Sequence, residues 1–220
     1  MVTPDSSFCA ECRDCPRLAR FLDQVRKDHP DYHAQPVPMF GDARAQLLIV
    51  GLAPGMHGAN RTGRPFTGDY SGILLYRTLH QFGFASRAVS VSADDPLRLK
   101  NCRISNAVKC LPPQNKPLPE EIRRCNHYLA AELRQSRPRV VLALGVVAHQ
   151  AVLMACGQKQ ASAKFGHHAV HSVPATPAVP QGLRLYDSYH CSRYNTNTRR
   201  LTEAMFEAVF RDIAAELKPR

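Results

Sequence analysis

Gln46-Leu47-Leu48-Ile49-Val50 runs directly into Gly51-Leu52-Ala53-Pro54-Gly55-Met56-His57-Gly58-Ala59-Asn60-Arg61-Thr62-Gly63-Arg64-Pro65-Phe66-Thr67-Gly68-Asp69. The apolar run predicts a buried strand over 46–51. The polar stretch after it carries five glycines and two prolines. Such a loop allows close backbone approach and fixes unusual turns. An amphipathic helix follows from about Tyr70, so the loop sits at the carboxyl end of a strand, where open α/β sheets bind ligands. Phe66 and Asp69 stand at its far end. An aromatic plate beside a carboxylate suits an enzyme that holds a flat ring and attacks the bond next to it. Each residue also has a plainer reading: Phe66 as core packing under the loop, and Asp69 as the helix N-cap, a place Ser71 can also fill.

Outward from this stretch, strand and helix patterns alternate. Leu18, Phe21, Leu22 and Val25 make one helical face over 17–27. A Pro-rich connection covers 28–45. Ile73, Leu74, Tyr76, Leu79 and Phe82 form the next helical stripe, closed by Gly83. Short strands are predicted at 88–91 and 103–108, with a polar excursion between them. Pro119 opens a helix to about 136, with Glu120 and Glu121 in its first turn. A buried strand over 139–144 is followed by a helix over 146–156. Residues 165–182 read as a His/Pro-rich loop, 185–189 as the last strand, and Thr198 as the cap of a final helix over 199–217. The expected architecture is α/β, a mostly parallel four-stranded sheet flanked by helices, in one domain over 1–220.

The chain has 220 residues, 44% hydrophobic, with 29 Lys and Arg against 18 Asp and Glu, a net charge of +11. A core is affordable, and the excess positive charge favours a polyanion such as nucleic acid over a neutral partner. No apolar run reaches the ~18 residues of a membrane span, and residues 1–5 lack the pattern of a signal peptide. A cytoplasmic monomer without membrane contact is expected. Thiols there stay reduced, so the eight cysteines point to metal or cluster ligation before disulfides.

Cys9, Cys12 and Cys15 make two overlapping C-x2-C pairs in the lead over 1–20. Cys110 ends a predicted strand and Cys125 lies in the helix that follows. Four such thiolates suit tetrahedral zinc or a four-iron cluster, and spacing alone does not separate them. Cys102 and Cys156 sit in apolar segments and read as small core residues.

Several segments together resemble the iron–sulfur uracil-DNA glycosylases, most closely the family-5 branch. They are Cys12-Arg13-Asp14-Cys15-Pro16-Arg17-Leu18, Gly51 to Gly55 through Asp69-Tyr70-Ser71-Gly72, Asn106 to Pro117 with Cys125, and His190-Cys191-Ser192-Arg193-Tyr194-Asn195-Thr196. The resemblance implies a [4Fe–4S] cluster on Cys12, Cys15, Cys110 and Cys125, with a structural role. It implies a glycosylase that flips a damaged base out of double- or single-stranded DNA and hydrolyses its glycosidic bond. Uracil is the first substrate; hypoxanthine, xanthine and ethenocytosine are further ones. Phe66 then stacks on the base and Asn106 reads its edge; by their place in the Gly-rich loop, His57 is expected to face the pocket and the backbone amides from Gly51 to Gly55 to contact the base or water. Asp69 orients water, and His190 stabilises the charge developing on the base. Arg61, Arg193, Tyr194, Asn195, Arg199 and Arg200 are expected to face DNA. The chain departs from the family at Cys191, where Pro is usual, and at Arg199, where Gly is common. The rivals are a family-4-like, uracil-specific enzyme, whose first loop carries acids where this chain has Met56 to Asn60, and a non-catalytic, zinc-bound nucleic-acid-binding protein.

Overall fold

In a computed structural model of the chain, which describes residues 8–218, the buried run ending at Gly51 is the second strand of a six-stranded sheet. Residues 1–7 of the lead and 219–220 lie outside the described residues. The strands are β1 (Phe40–Gly41), β2 (Leu47–Gly51), β3 (Cys102–Asn106), β4 (Val140–Leu144), β5 (Val170–Val173) and β6 (Leu183–Ser188), in the order β1-β3-β2-β4-β6-β5. The inner four are parallel; β1 and β5 pair antiparallel at the two edges. The expected four-stranded sheet is therefore corrected to six. The added strands come from segments read as the Pro-rich connection and the His/Pro-rich loop. Each is only two or four residues long, too short for a periodic signal.

Side-chain alternation along β2 divides the core. Leu47 and Ile49 face α3 (Tyr70–Gln81) and α7 (Glu203–Leu217), meeting Leu75, Leu79, Phe206 and Phe210. Leu48 and Val50 face α4 (Pro119–Ser136) and α5 (Val146–Ala155), meeting Leu129, Leu133 and Val152. Every β2 and β4 residue is buried, as expected for parallel strands covered on both faces. Cys102 and Cys156 belong to these two layers as core residues. No helix among the described residues is long and apolar enough to cross a membrane.

Two further expectations are corrected. Residues 88–91 are not a strand: Ser90 gives its carbonyl to the Gly68 amide, Val91 gives its amide to Asp95, and Val89 and Val91 are exposed. These local bonds replace a ladder. The final helix starts at Glu203, not 199, and its cap is Thr202, whose hydroxyl accepts the Met205 amide at 3.2 Å. Thr198 instead ends the short helix α6 (Arg193–Asn197). The remaining helices are α1 (Pro16–Asp28) and α2 (Ala59–Thr62), the latter one turn inside the Gly-rich loop.

Helix α1 lies outside the sheet layers. Leu18, Leu22 and Val25 pack with Val108, Leu111 and Tyr128 beside the cysteines. Arg17 makes a paired contact with Glu121 at the start of α4, Nε to Oε1 at 2.8 Å and Nη2 to Oε2 at 2.7 Å. Such a fork holds orientation as well as distance.

Candidate active site

The carboxyl ends of β2, β3 and β6 open into one cleft of about 780 Å³. Phe66, Asp69, Asn106, His190, His57 and Arg193 line it, with Met56, Tyr70 and Asn115. Residues more than 100 positions apart in sequence thus converge because parallel strands end side by side.

Phe66 is buried and holds a left-handed backbone, φ 54°. That conformation is uncommon for a bulky residue and persists only where the surroundings enforce it. Gly51 is one cause. A Cβ there would meet the Phe66 ring at 2.6 Å and Asn106 Oδ1 at 2.5 Å. Gly51 therefore stands behind the ring and the amide, supporting both. His190 stacks against the ring, centroids 5.8 Å apart and planes 27° off parallel. Burial lowers its pKa to about 4, so the imidazole is neutral near pH 7. Asn195 donates from Nδ2 to the His190 carbonyl at 2.8 Å and holds the loop.

Asp69 is both cap and cleft residue. Oδ1 accepts the Gly72 amide at 2.9 Å and starts α3, while Ser71 leaves the cap to it. Oδ2 lies against Gly58, where a Cβ would come within 2.4 Å of it. Burial raises the Asp69 pKa above the ordinary carboxylate range; amides of Gly72 and Ser71 oppose this. An anion held in a partly dry site is what a developing positive charge requires.

Asn106 ends β3 beside Gly51. Its Oδ1 is buried and has no hydrogen-bond partner, an acceptor waiting for an N–H. Below it, Lys109 Nζ donates to the Asn106 carbonyl at 3.0 Å and to Ser105 Oγ at 2.6 Å, and lies 2.8 Å from the Glu132 carboxylate. This buried ion pair fixes the strand end. Sequence pattern had no signal for it, since a Lys and a Glu on separate elements have no fixed spacing.

The expected DNA-facing residues divide. Arg193 lines the cleft, its guanidinium 5.8 Å from the Tyr70 ring centroid. Tyr194 is 71% exposed. Arg199 lines a neighbouring groove with Tyr70, Ile73 and Arg77. Arg200 stacks on Tyr189, 4.6 Å from its ring centroid, and Arg61 donates to the Gly68 carbonyl at 3.4 Å. His57 accepts or donates at Nδ1 to the Tyr32 hydroxyl, 2.8 Å away. Asn115, with φ 56°, enters the cleft from the segment after Cys110. Its position depends on that backbone turn, which residue pattern did not reveal. Cys191 is fully buried and its thiol faces the Ser71 carbonyl at 3.4 Å.

The four cysteines also converge. Cys12, Cys15, Cys110 and Cys125 line one small void with Leu18, Lys109 and Tyr128. Burial pushes the Cys125 thiol up to about 11, against the pull of Lys109, whose amide donates to its sulfur at 3.3 Å. Burial raises the Cys110 thiol further.

The model of the uracil DNA glycosylase superfamily matches residues 38–214, the span that carries the whole cleft. The chain belongs to this superfamily. It is 46% identical over 201 residues to the type-5 uracil-DNA glycosylase of Thermus thermophilus, covering 89% of each chain. Identity to the type-5 enzyme of Pyrobaculum aerophilum is 42% over 209 residues, 93% of this chain and 88% of the other. The type-4 enzyme of Archaeoglobus fulgidus matches at 36% over 115 residues, 52% of this chain and 50% of the other. The superfamily's matched span thus includes Phe66, Asp69, Asn106 and His190, but begins after Cys12 and Cys15.

Proposed function

We propose that the chain is a monofunctional DNA glycosylase that hydrolyses the bond between deoxyribose and uracil in DNA, opening base excision repair. One observation carries this reading: a stacking ring, a buried carboxylate, an unpartnered amide oxygen and a neutral imidazole share one cleft. A base inside a duplex reaches such a cleft only when flipped out, at a cost of a few kcal/mol. Phe66 takes its face. Asn106 Oδ1 accepts the base's ring N–H, a donor that uracil, hypoxanthine and xanthine all present. As the glycosidic bond breaks, negative charge moves to the base and positive charge to the sugar. His190, neutral, donates an N–H to the base oxygen without carrying a charge that would need a counterion. Asp69 orients a water and faces the oxocarbenium-like sugar. Arg193, and outside the cleft Arg61, Arg199 and Arg200, meet phosphates, and Tyr194 enters the space the base leaves.

The four thiols of Cys12, Cys15, Cys110 and Cys125, gathered around one void, are the donor set of a [4Fe–4S] cluster. Thiolate sets of this kind take zinc or a four-iron cluster; the likeness of the cysteine segments to the iron–sulfur branch of the family favours the cluster, which would tie α1 to the segment after β3. Hydrolysis transfers no electrons, so it serves as a brace.

The decisive assay incubates the protein with duplexes carrying uracil, hypoxanthine, xanthine or ethenocytosine, followed by chemical cleavage at abasic sites. Strand breaks at uracil are expected, and breaks at the others define the wider range. No breaks on any substrate reject the enzyme reading. A brown solution absorbing near 400 nm is expected for the cluster, and a colourless protein binding zinc rejects it.

A further inference from the structure

Away from the cleft, the segment read as a His/Pro-rich loop brings a second set of chemical groups together. Asp187 on β6 is wholly buried, and its two carboxylate oxygens face two imidazoles. Oδ1 lies 2.8 Å from Nδ1 of His149 on α5, and Oδ2 lies 3.0 Å from Nε2 of His171 on β5. The Gly166 amide is a further donor to Oδ2 at 3.4 Å. The other nitrogen of His149, Nε2, faces the Ala163 carbonyl at 3.0 Å. A carbonyl only accepts, so Nε2 carries the hydrogen. In the neutral ring Nδ1 is then bare, and a bare nitrogen lone pair points at a carboxylate lone pair 2.8 Å away. Two acceptors at that distance require something between them: a proton, carried by His149 or by the Asp187 carboxyl, or a metal ion.

We propose that His149, His171 and Asp187 form a binding site for a divalent transition-metal ion of the zinc type. Two imidazoles and a carboxylate are the donor set such ions take, in preference to the all-oxygen sets of magnesium or calcium. The three ligand atoms lie within 4.8 Å of one another. A tetrahedral ion about 2.1 Å from each sets ligands ~3.4 Å apart, so the 2.8 and 3.0 Å contacts to Asp187 open by about half an ångström when the ion enters. The outer contacts are in place too: a metal-bound histidine gives its second N–H to a carbonyl or carboxylate, as His149 does to Ala163. His149 and Asp187 are buried, with side chains 1% and 0% exposed. The His171 side chain is 19% exposed and lines a surface recess, so an ion and a water ligand can enter from that side. The ion would join edge strand β5 and helix α5 to β6, the strand that delivers His190 three residues after Asp187. Its role is a staple, independent of the glycosylase reading.

The test uses the full chain with its cysteine site loaded, titrated with zinc chloride in an isothermal calorimeter, with metal content measured after desalting. Wild type is expected to retain one zinc that His171→Ala lacks, and zinc is expected to raise the unfolding temperature of the wild type alone. His171→Ala removes a largely buried edge-strand side chain; His171→Gln, which keeps the size and a donor to Asp187, is the second variant should the first unfold. Equal zinc content and equal thermal shifts in wild type and variant overturn the proposal, as does wild type that holds no zinc. Either result leaves a proton shared between His149 and Asp187 in place of the ion.

Discussion

Asp69 pairs two duties, and they separate on substitution. An Asn still caps α3, but it cannot stabilise a cationic sugar, so Asp69→Asn is expected to lower single-turnover uracil excision by a factor of ~10² or more. Because burial raises the Asp69 pKa, the ionised form is the strained one. Activity needs that form, so excision falls as pH drops through a pKa above the ordinary aspartate range. His190, held neutral down to about pH 4, adds no limb near pH 6.5. A rate profile whose acid limb sits at the pKa of a free aspartate contradicts this assignment. Arg199 offers a prediction of opposite sign. Its φ of 55° lies in the left-handed region, where an L side chain costs ~1–2 kcal/mol. A Gly, which the family resemblance leads one to expect at this place, would adopt this backbone without strain. Arg199→Gly is expected to stabilise the fold by about 1 kcal/mol, read as a rise of roughly 2–4 °C in Tm, while weakening DNA binding. The convergence at this scale was legible, for Asn106 and His190 largely through the family resemblance: Phe66, Asp69, Asn106 and His190 all line the cleft. The Lys109–Glu132 pair beneath Asn106 was not, because its members are brought together only by the fold.

At the scale of elements, the Gly-rich loop shows how backbone sets side-chain geometry. Gly58 leaves no room for a Cβ beside the Asp69 carboxylate. Gly58→Ala is expected to push that carboxylate aside and cost about 10²-fold in excision rate, since displacements near 1 Å at a reacting centre have that effect. Circular dichroism and uracil binding would be little changed, which separates displacement from unfolding. The helices and inner strands were readable because their apolar periods are long and clean. The edge strands were not: Phe40–Gly41 and Val170–Val173 are set by pairing with Ile104, Arg103 and the residues of β6, information that lies elsewhere in the chain. The same holds for the final helix. Thr198 and Thr202 are both good caps in isolation, and the left-handed turn at Arg199 between them decides for Thr202.

For the whole molecule, two ties to the cysteine lead can be cut separately: the Arg17–Glu121 fork and the proposed cluster on Cys12, Cys15, Cys110 and Cys125. Cys110→Ser is expected to abolish absorbance near 400 nm and lower Tm. Adding Arg17→Ala to it is expected to expose the lead to limited proteolysis between residues 16 and 28. An unchanged cleavage pattern in the double variant would mean that neither tie holds α1. The net charge of +11 carries its own expectation. Each phosphate neutralised contributes about −0.9 to the slope of log affinity against log salt on duplex DNA, so binding should fall steeply between low and moderate salt. Arg193→Ala should flatten the slope by about one phosphate, and a flat slope in the wild type would remove the basic surface as the footprint.

The contact between Gly51 and the Phe66 ring has a practical consequence for anyone wishing to retune which lesions are excised. The two positions interlock, so libraries that vary either one alone would mostly return inactive clones. Shrinking the ring frees only part of the volume into which residue 51 can grow, because the Asn106 amide oxygen stands 2.5 Å from the same point; useful variants should therefore appear as combined changes at 51, 66 and 106, invisible to a one-position scan.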